Sequence, residues 1–112
     1  MVVAEVSVVP LGTSSASVSG YVADCVSVVK ESGLKYEVTA MGTILEGELE
    51  EVLAVTRRMH DIPFDAGAQR VVTTVKIDER RDKELTIKSK VEAVALRLGE
   101  TQVQGPTCDG RR

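Results

Sequence analysis

The stretch Val2-Val3-Ala4-Glu5-Val6-Ser7-Val8-Val9-Pro10-Leu11-Gly12-Thr13 decides the fold. Side chains of a strand alternate between the two faces of its sheet, so Val2, Ala4, Val6 and Val8 share one face. Val3, Glu5, Ser7 and Val9 share the other. A Val-rich strand that starts almost at residue 1 is expected at the centre of a sheet, with both faces covered and both edges paired. Glu5 and Ser7, in the middle of such a strand, need a partner or a ligand. Pro10 and Gly12 are expected to stop the ladder.

Beyond the strand, Ser14, Ser15 and Ser17 offer caps for a helix over about 17–32, with Val18, Val22, Cys25, Val26 and Val29 on one face and Gly33 as its stop. Lys35 to Met41 alternates as a second strand and Thr43 to Glu46 as a short third, the pair pivoting on Met41-Gly42-Thr43. A second helix is predicted from Glu48 to His60, its inner face Leu49, Val52, Leu53, Thr56 and Met59, closed by Pro63 and Gly67. Gln69 to Asp78 alternates again, with Val71, Thr73, Val75 and Ile77 on one parity. A third helix is predicted from Glu84 to Leu98, carrying Ile87, Val91, Val94, Ala95 and Leu98 on its apolar stripe.

The order strand, helix, strand, strand, helix, strand, joined by right-handed crossovers, gives an α+β ferredoxin-like sandwich. It consists of a four-stranded antiparallel sheet with its helices on one face, followed by an added C-terminal helix. The helices are expected to cover Val2, Ala4, Val6 and Val8 with Tyr36, Val38, Ala40, Val71, Val75 and Ile77. The opposite face then gathers Glu5, Ser7, Glu37, Thr39, Met41, Thr74, Lys76 and Asp78 among Val3, Val9 and Val72. Such a mixture suits packing on another copy of the chain, with Glu5, Ser7 and Thr39 lining a small-molecule pocket where the sheets stack. A plain solvated face is the alternative.

With 112 residues, 43% hydrophobic and 28% charged, the chain fits one soluble domain, expected over 1–99, with a flexible tail over 100–112. A net charge of −3 and only two Tyr, one Phe and no Trp argue against nucleic acid as a partner. No apolar run approaches the roughly 20 residues that span a bilayer, and no signal-peptide pattern opens the chain; no membrane partner and a cytoplasmic location are expected. Cys25 and Cys108 have neither metal nor disulfide spacing; Cys25 reads as a small core residue and Cys108 as a free thiol on the tail.

Three phrases, Ala4-Glu5-Val6-Ser7-Val8-Val9-Pro10-Leu11-Gly12-Thr13, Met41-Gly42-Thr43-Ile44-Leu45-Glu46-Gly47 and Val75-Lys76-Ile77-Asp78-Glu79-Arg80-Arg81-Asp82-Lys83, resemble the small thiamine-binding protein family. They occur in the family's order, across about residues 2–98. The resemblance implies a non-catalytic domain that binds thiamine or its hydroxymethylpyrimidine half, needs no other cofactor and assembles as a homotetramer, a dimer of dimers. It also implies site positions at Glu5, Ser7, Pro10, Gly12, Thr13, Met41, Gly42, Thr43, Lys76 and Asp78. A carboxylate such as Glu5 or Asp78 beside hydroxyls such as Ser7, Thr39 or Thr43 matches the donors and acceptors of an aminopyrimidine, while Met41 packs on the ring.

Blander readings stand beside these. Glu5 can pair with Lys76 across the sheet, Gly12 and Gly42 can serve turn geometry alone, and Arg80-Arg81 can belong to a solvated charged turn. His60, the sole histidine, has no motif-placed nucleophile. An enzyme reading would make Glu5 or Asp78 a general base, which requires a carboxylate with a raised pKa. An assembly domain without a small-molecule ligand is the remaining alternative.

Overall fold

In the computed structural model, which describes residues 1–12 and 19–99, the elements follow the expected order. They are β1 (Val2–Leu11), α1 (Ser19–Ser32), β2 (Lys35–Thr39), β3 (Gly42–Gly47), α2 (Leu49–Asp65), β4 (Arg70–Glu79) and α3 (Ile87–Arg97). The sheet has four strands in the order β2-β3-β1-β4, with every neighbouring pair antiparallel. This is the ferredoxin-like arrangement, and β1 is central in it. Thr13, the start predicted for the first helix and the tail with Cys108 lie outside the described residues.

The alternation along β1 sorts the layers as the sequence suggests. Val2, Ala4, Val6 and Leu45 form a core with Cys25, Val28 and Val29 of α1 and Val52, Val55 and Met59 of α2. The inner stripe of α1 is rotated from the one expected, since Val28 is buried and Val22 is exposed. Consecutive valines at 28 and 29 leave the helical period unable to choose between the two lines. On α2, Val55 is buried in place of Leu53.

The apolar residues of the edge strands are less covered than expected: Val38 is 51% and Ile77 42% exposed, and Tyr36 and Val75 are also open. The buried core takes its strand residues from β1 (Val2, Ala4, Val6) and β3 (Leu45), and the apolar side chains of the edge strands β2 and β4 lie outside it.

Three local expectations are corrected. β1 does not stop at Pro10; it runs to Leu11, paired with β4 throughout, while its ladder to β3 ends at Val6. Past Val6 the strand pairs with β4 alone, and a proline, lacking an N–H, is tolerated at such an edge. The β2–β3 hairpin turns on Ala40-Met41, not Met41-Gly42-Thr43, because Thr39 pairs with Gly42. The Thr39 hydroxyl donates to the Gly42 carbonyl (2.9 Å) and accepts from the Met41 N–H (3.2 Å), so it braces the turn.

The third concerns Pro63, which lies within α2 near its end. A proline cannot donate to the carbonyl four residues earlier, here that of Met59. The Cys25 thiol donates to the Met59 carbonyl instead, at 3.4 Å. Cys25 is thus a core residue that also satisfies a polar group the proline leaves unpaired. Burial, followed by the nearby Asp24 charge, pushes its thiol up to about 11.

α3 begins at Ile87, later than expected, because Thr86 and Ser89 form a reciprocal capping box: the Ser89 N–H donates to the Thr86 hydroxyl and the Thr86 N–H to the Ser89 hydroxyl. It lies against the sheet face opposite α1 and α2. The Ile87 N–H donates to Glu46 Oε1 at 2.7 Å, and Lys90 ion-pairs with Asp78. Glu46 and Asp78 flank Val3 in the register, which puts all three on the second face.

Candidate functional site

The placement of α3 turns one end of the second sheet face into a cleft of about 290 Å³. One transverse row of the register runs Glu37 (β2), Ile44 (β3), Glu5 (β1), Lys76 (β4). Strands lie about 4.8 Å apart, so the Glu37 and Glu5 backbones are separated by about 10 Å with the Ile44 side chain between them. Val3 and Ile44 supply an apolar floor, and Ile87 and Val91 of α3 an apolar wall facing it. Thr39 and Asp78 complete the rim, where Asp78 meets Lys90. The arrangement is a slot with aliphatic sides and charged ends, apolar surface beside a few convergent polar groups.

Glu46 makes this slot possible. It is only 6% exposed, and a carboxylate cannot be buried without a partner. The first N–H of α3 is that partner, and the positive end of the helix dipole adds to the attraction.

Glu5, Thr39, Lys76 and Asp78, four of the residues singled out in the sequence, come together in this cleft. Ser7, Met41, Gly42 and Thr43 do not; they line a separate hollow of about 200 Å³ with Cys25 and Met59, which Thr39 also touches. Thr43 is buried opposite Val6 on the helix-covered face, so its hydroxyl is remote from Glu5. Met41 is 80% exposed at the hairpin tip. Pro10 and Gly12 border neither cavity; Gly12, just past the end of β1, has a φ of 70°, a backbone conformation that favours glycine. Gly42 does not serve turn geometry. An added Cβ would lie 2.9 Å from the Val6 carbonyl oxygen, so the glycine is required by the close approach of β1.

Glu37, Ile44, Ile87, Lys90 and Val91 join the cleft without having been predicted for it. Glu37 shares the parity of the second face, a signal present in the sequence. Nothing in the period of α3 says which face of the sheet it will cross.

Arg80, Arg81 and His60, singled out in the sequence, have local partners away from the cleft. Arg80 donates to both oxygens of Asp82 (2.8 and 2.6 Å), which holds that carboxyl down to about 2, and Arg81 pairs with Glu79 at 3.3 Å. His60 is 2.7 Å from the Thr73 hydroxyl through Nδ1 and stacks edge-on to Phe64, tying α2 to β4. Among the described residues no cluster of three or more His, Cys, Asp or Glu is placed to hold a metal, and no helix is long and apolar enough to cross a membrane.

The fold and this cleft define a small ferredoxin-like α+β protein whose second sheet face is built into a charged slot by its last helix. The chain belongs to the thiamine-binding protein family, whose model matches residues 4–95. It is 44% identical over 102 residues to UPF0045 protein YqgV of Bacillus subtilis, covering 88% of this chain and 98% of that one. It is 45% identical over 99 residues to a UPF0045 protein of Methanothermobacter thermautotrophicus, covering 88% of this chain and all of that one. Among solved structures, protein MJ1052 of Methanocaldococcus jannaschii superposes with a TM-score of 0.78 at 49% identity, over 84% of this chain and 95% of that one. A Thermotoga maritima protein assigned provisionally to thiamine biosynthesis or salvage superposes with a TM-score of 0.71 at 26% identity, over 83% of this chain and 97% of that one.

Proposed function

We infer that this protein is a non-catalytic carrier or sensor that binds thiamine or hydroxymethylpyrimidine in the slot between the second sheet face and α3. The observation that carries the reading is the transverse row in which Ile44 lies between the Glu37 and Glu5 carboxylates, facing the aliphatic wall of α3. A flat aminopyrimidine fits between Ile44 and the Ile87 and Val91 side chains, and its amino group donates to Glu5. The Lys76 ammonium is a donor for a ring nitrogen. Family membership and the role assigned to the Thermotoga relative favour this ligand class. A family named for binding favours the absence of turnover.

The other end of the same face supports self-association. Val9 and Val72 face each other in the β1–β4 register and are 43% and 45% exposed, an apolar patch that α3 leaves open and that suits a second copy of the chain. In this reading the protein is a cytoplasmic homotetramer, with residues 1–99 as the binding domain. Titration calorimetry with thiamine and with hydroxymethylpyrimidine, on protein of measured mass, tests it: saturable binding of at least one compound is expected. Absence of heat with both, alongside an intact oligomer, would leave an assembly domain without a small-molecule ligand.

A further inference from the structure

We propose that the cleft selects a singly cationic ligand and rejects its phosphate esters, and that Glu37 sets this preference. The inference deepens the ligand-binding reading and rests on it.

The charges lining the cleft are unequal. Glu5, Glu37 and Asp78 bring three carboxylates against the two ammoniums of Lys76 and Lys90. The pairing of these groups decides where the surplus lies. Lys90 is ion-paired with Asp78, an interaction that also fastens α3, so its charge is already engaged. Lys76 stands directly opposite Glu5 in the β1–β4 register, where opposite charges attract. Glu37 is left over, half-buried on β2 across Ile44 from Glu5, and its register neighbour is that isoleucine rather than a cation.

A carboxylate in that position attracts a fixed positive charge such as a thiazolium when the attached ring lies over Ile44. Its surroundings strengthen the attraction, because Ile44, Ile87 and Val91 exclude water from one side and interactions between charges are screened less there. A phosphate ester adds about −1.5 to −2 charge at neutral pH. That reverses the ligand's net charge and places an anion in a cleft with a negative surplus, unless it breaks the Asp78–Lys90 pair and loosens α3.

The test is titration calorimetry of the full chain with thiamine and with thiamine monophosphate, for the wild type and Glu37→Gln. The wild type is expected to bind thiamine at least tenfold more tightly than the monophosphate. Glu37→Gln is expected to weaken thiamine and narrow that ratio, with the wild-type unfolding midpoint retained. Equal or tighter binding of the monophosphate by the wild type overturns the inference while leaving the ligand-binding reading intact, and this comparison does not depend on how the variant folds. A ratio unchanged in a folded Glu37→Gln protein removes Glu37 from the role. Failure of both compounds to bind overturns the inference and the reading beneath it.

Discussion

The Glu46 carboxylate on β3 accepts a hydrogen bond at 2.7 Å from the backbone N–H of Ile87, 41 residues later in the chain. This contact joins the sheet to the start of α3 and thereby sets the height of the slot. Glu46→Ala removes the acceptor and leaves the helix terminus without its buried partner, at a cost of about 1–3 kcal/mol. Hydrogen exchange is expected to accelerate over residues 87–97 while β1 stays protected, and Glu46→Gln, which keeps a carbonyl acceptor, is expected to restore much of the protection. Unchanged exchange in Glu46→Ala would mean that α3 is held by other contacts.

Glu5 and Ser7 are two residues apart on one strand but border different cavities. Glu5→Gln is therefore expected to weaken thiamine binding by about 1.5–3 kcal/mol, the range for a hydrogen bond to a charged group. Ser7→Val is expected to change it by less than about 0.5 kcal/mol. Calorimetry on both variants checks the assignment. The reverse order of effects would move the ligand to the hollow at the hairpin.

Gly42→Ala places a methyl group 2.9 Å from the Val6 carbonyl oxygen, and neither backbone can give way without straining the β1–β3 ladder. A loss of about 1–3 kcal/mol is expected from urea unfolding. Gly12→Ala meets open space and costs less, through its positive φ alone.

The Cys25 thiol and Pro63 are coupled through the Met59 carbonyl. Cys25→Ala is expected to be more costly in the wild type than in a Pro63→Ala background, where residue 63 can supply an N–H to that carbonyl. A double-mutant cycle should return a coupling of about 0.5–1 kcal/mol. The pH dependence has a defined sign. Folding raises the thiol from the usual 9.0 to about 11, so the folded state holds this proton more tightly than the unfolded one. Its contribution to stability is complete below pH 9 and is lost as the pH climbs towards 11. At pH 8 the buried thiol stays protonated in the folded state, and iodoacetamide labelling of Cys25, followed by peptide mass spectrometry, should track global unfolding.

The alternation of Val2 to Val8 and the order of elements carry the fold, because a strand's parity and right-handed crossovers leave few ways to bury one face. The site was legible only in part. Glu5, Lys76 and Asp78 could be placed on one surface by parity, since register preserves faces. What parity does not encode is which part of that surface a helix will cover. Glu46 alone holds a clue, as a carboxylate of the second-face parity set among apolar neighbours. Parity puts Ser7 on the face of Glu5, but one pair further along the ladder it borders the other hollow; Met41 lies at the exposed hairpin tip, and Thr43, singled out by the resemblance, pairs with Val6 on the helix-covered face.

The most direct measurement of the central claim is a thiamine titration followed by ¹H–¹⁵N chemical-shift mapping. The account predicts saturating shifts at Glu5, Glu37 and Ile44 on the sheet and at Ile87 to Val91 on α3, with little change at Ser7 or Met41. Shifts confined to the hairpin hollow, or none at saturating thiamine, would contradict it.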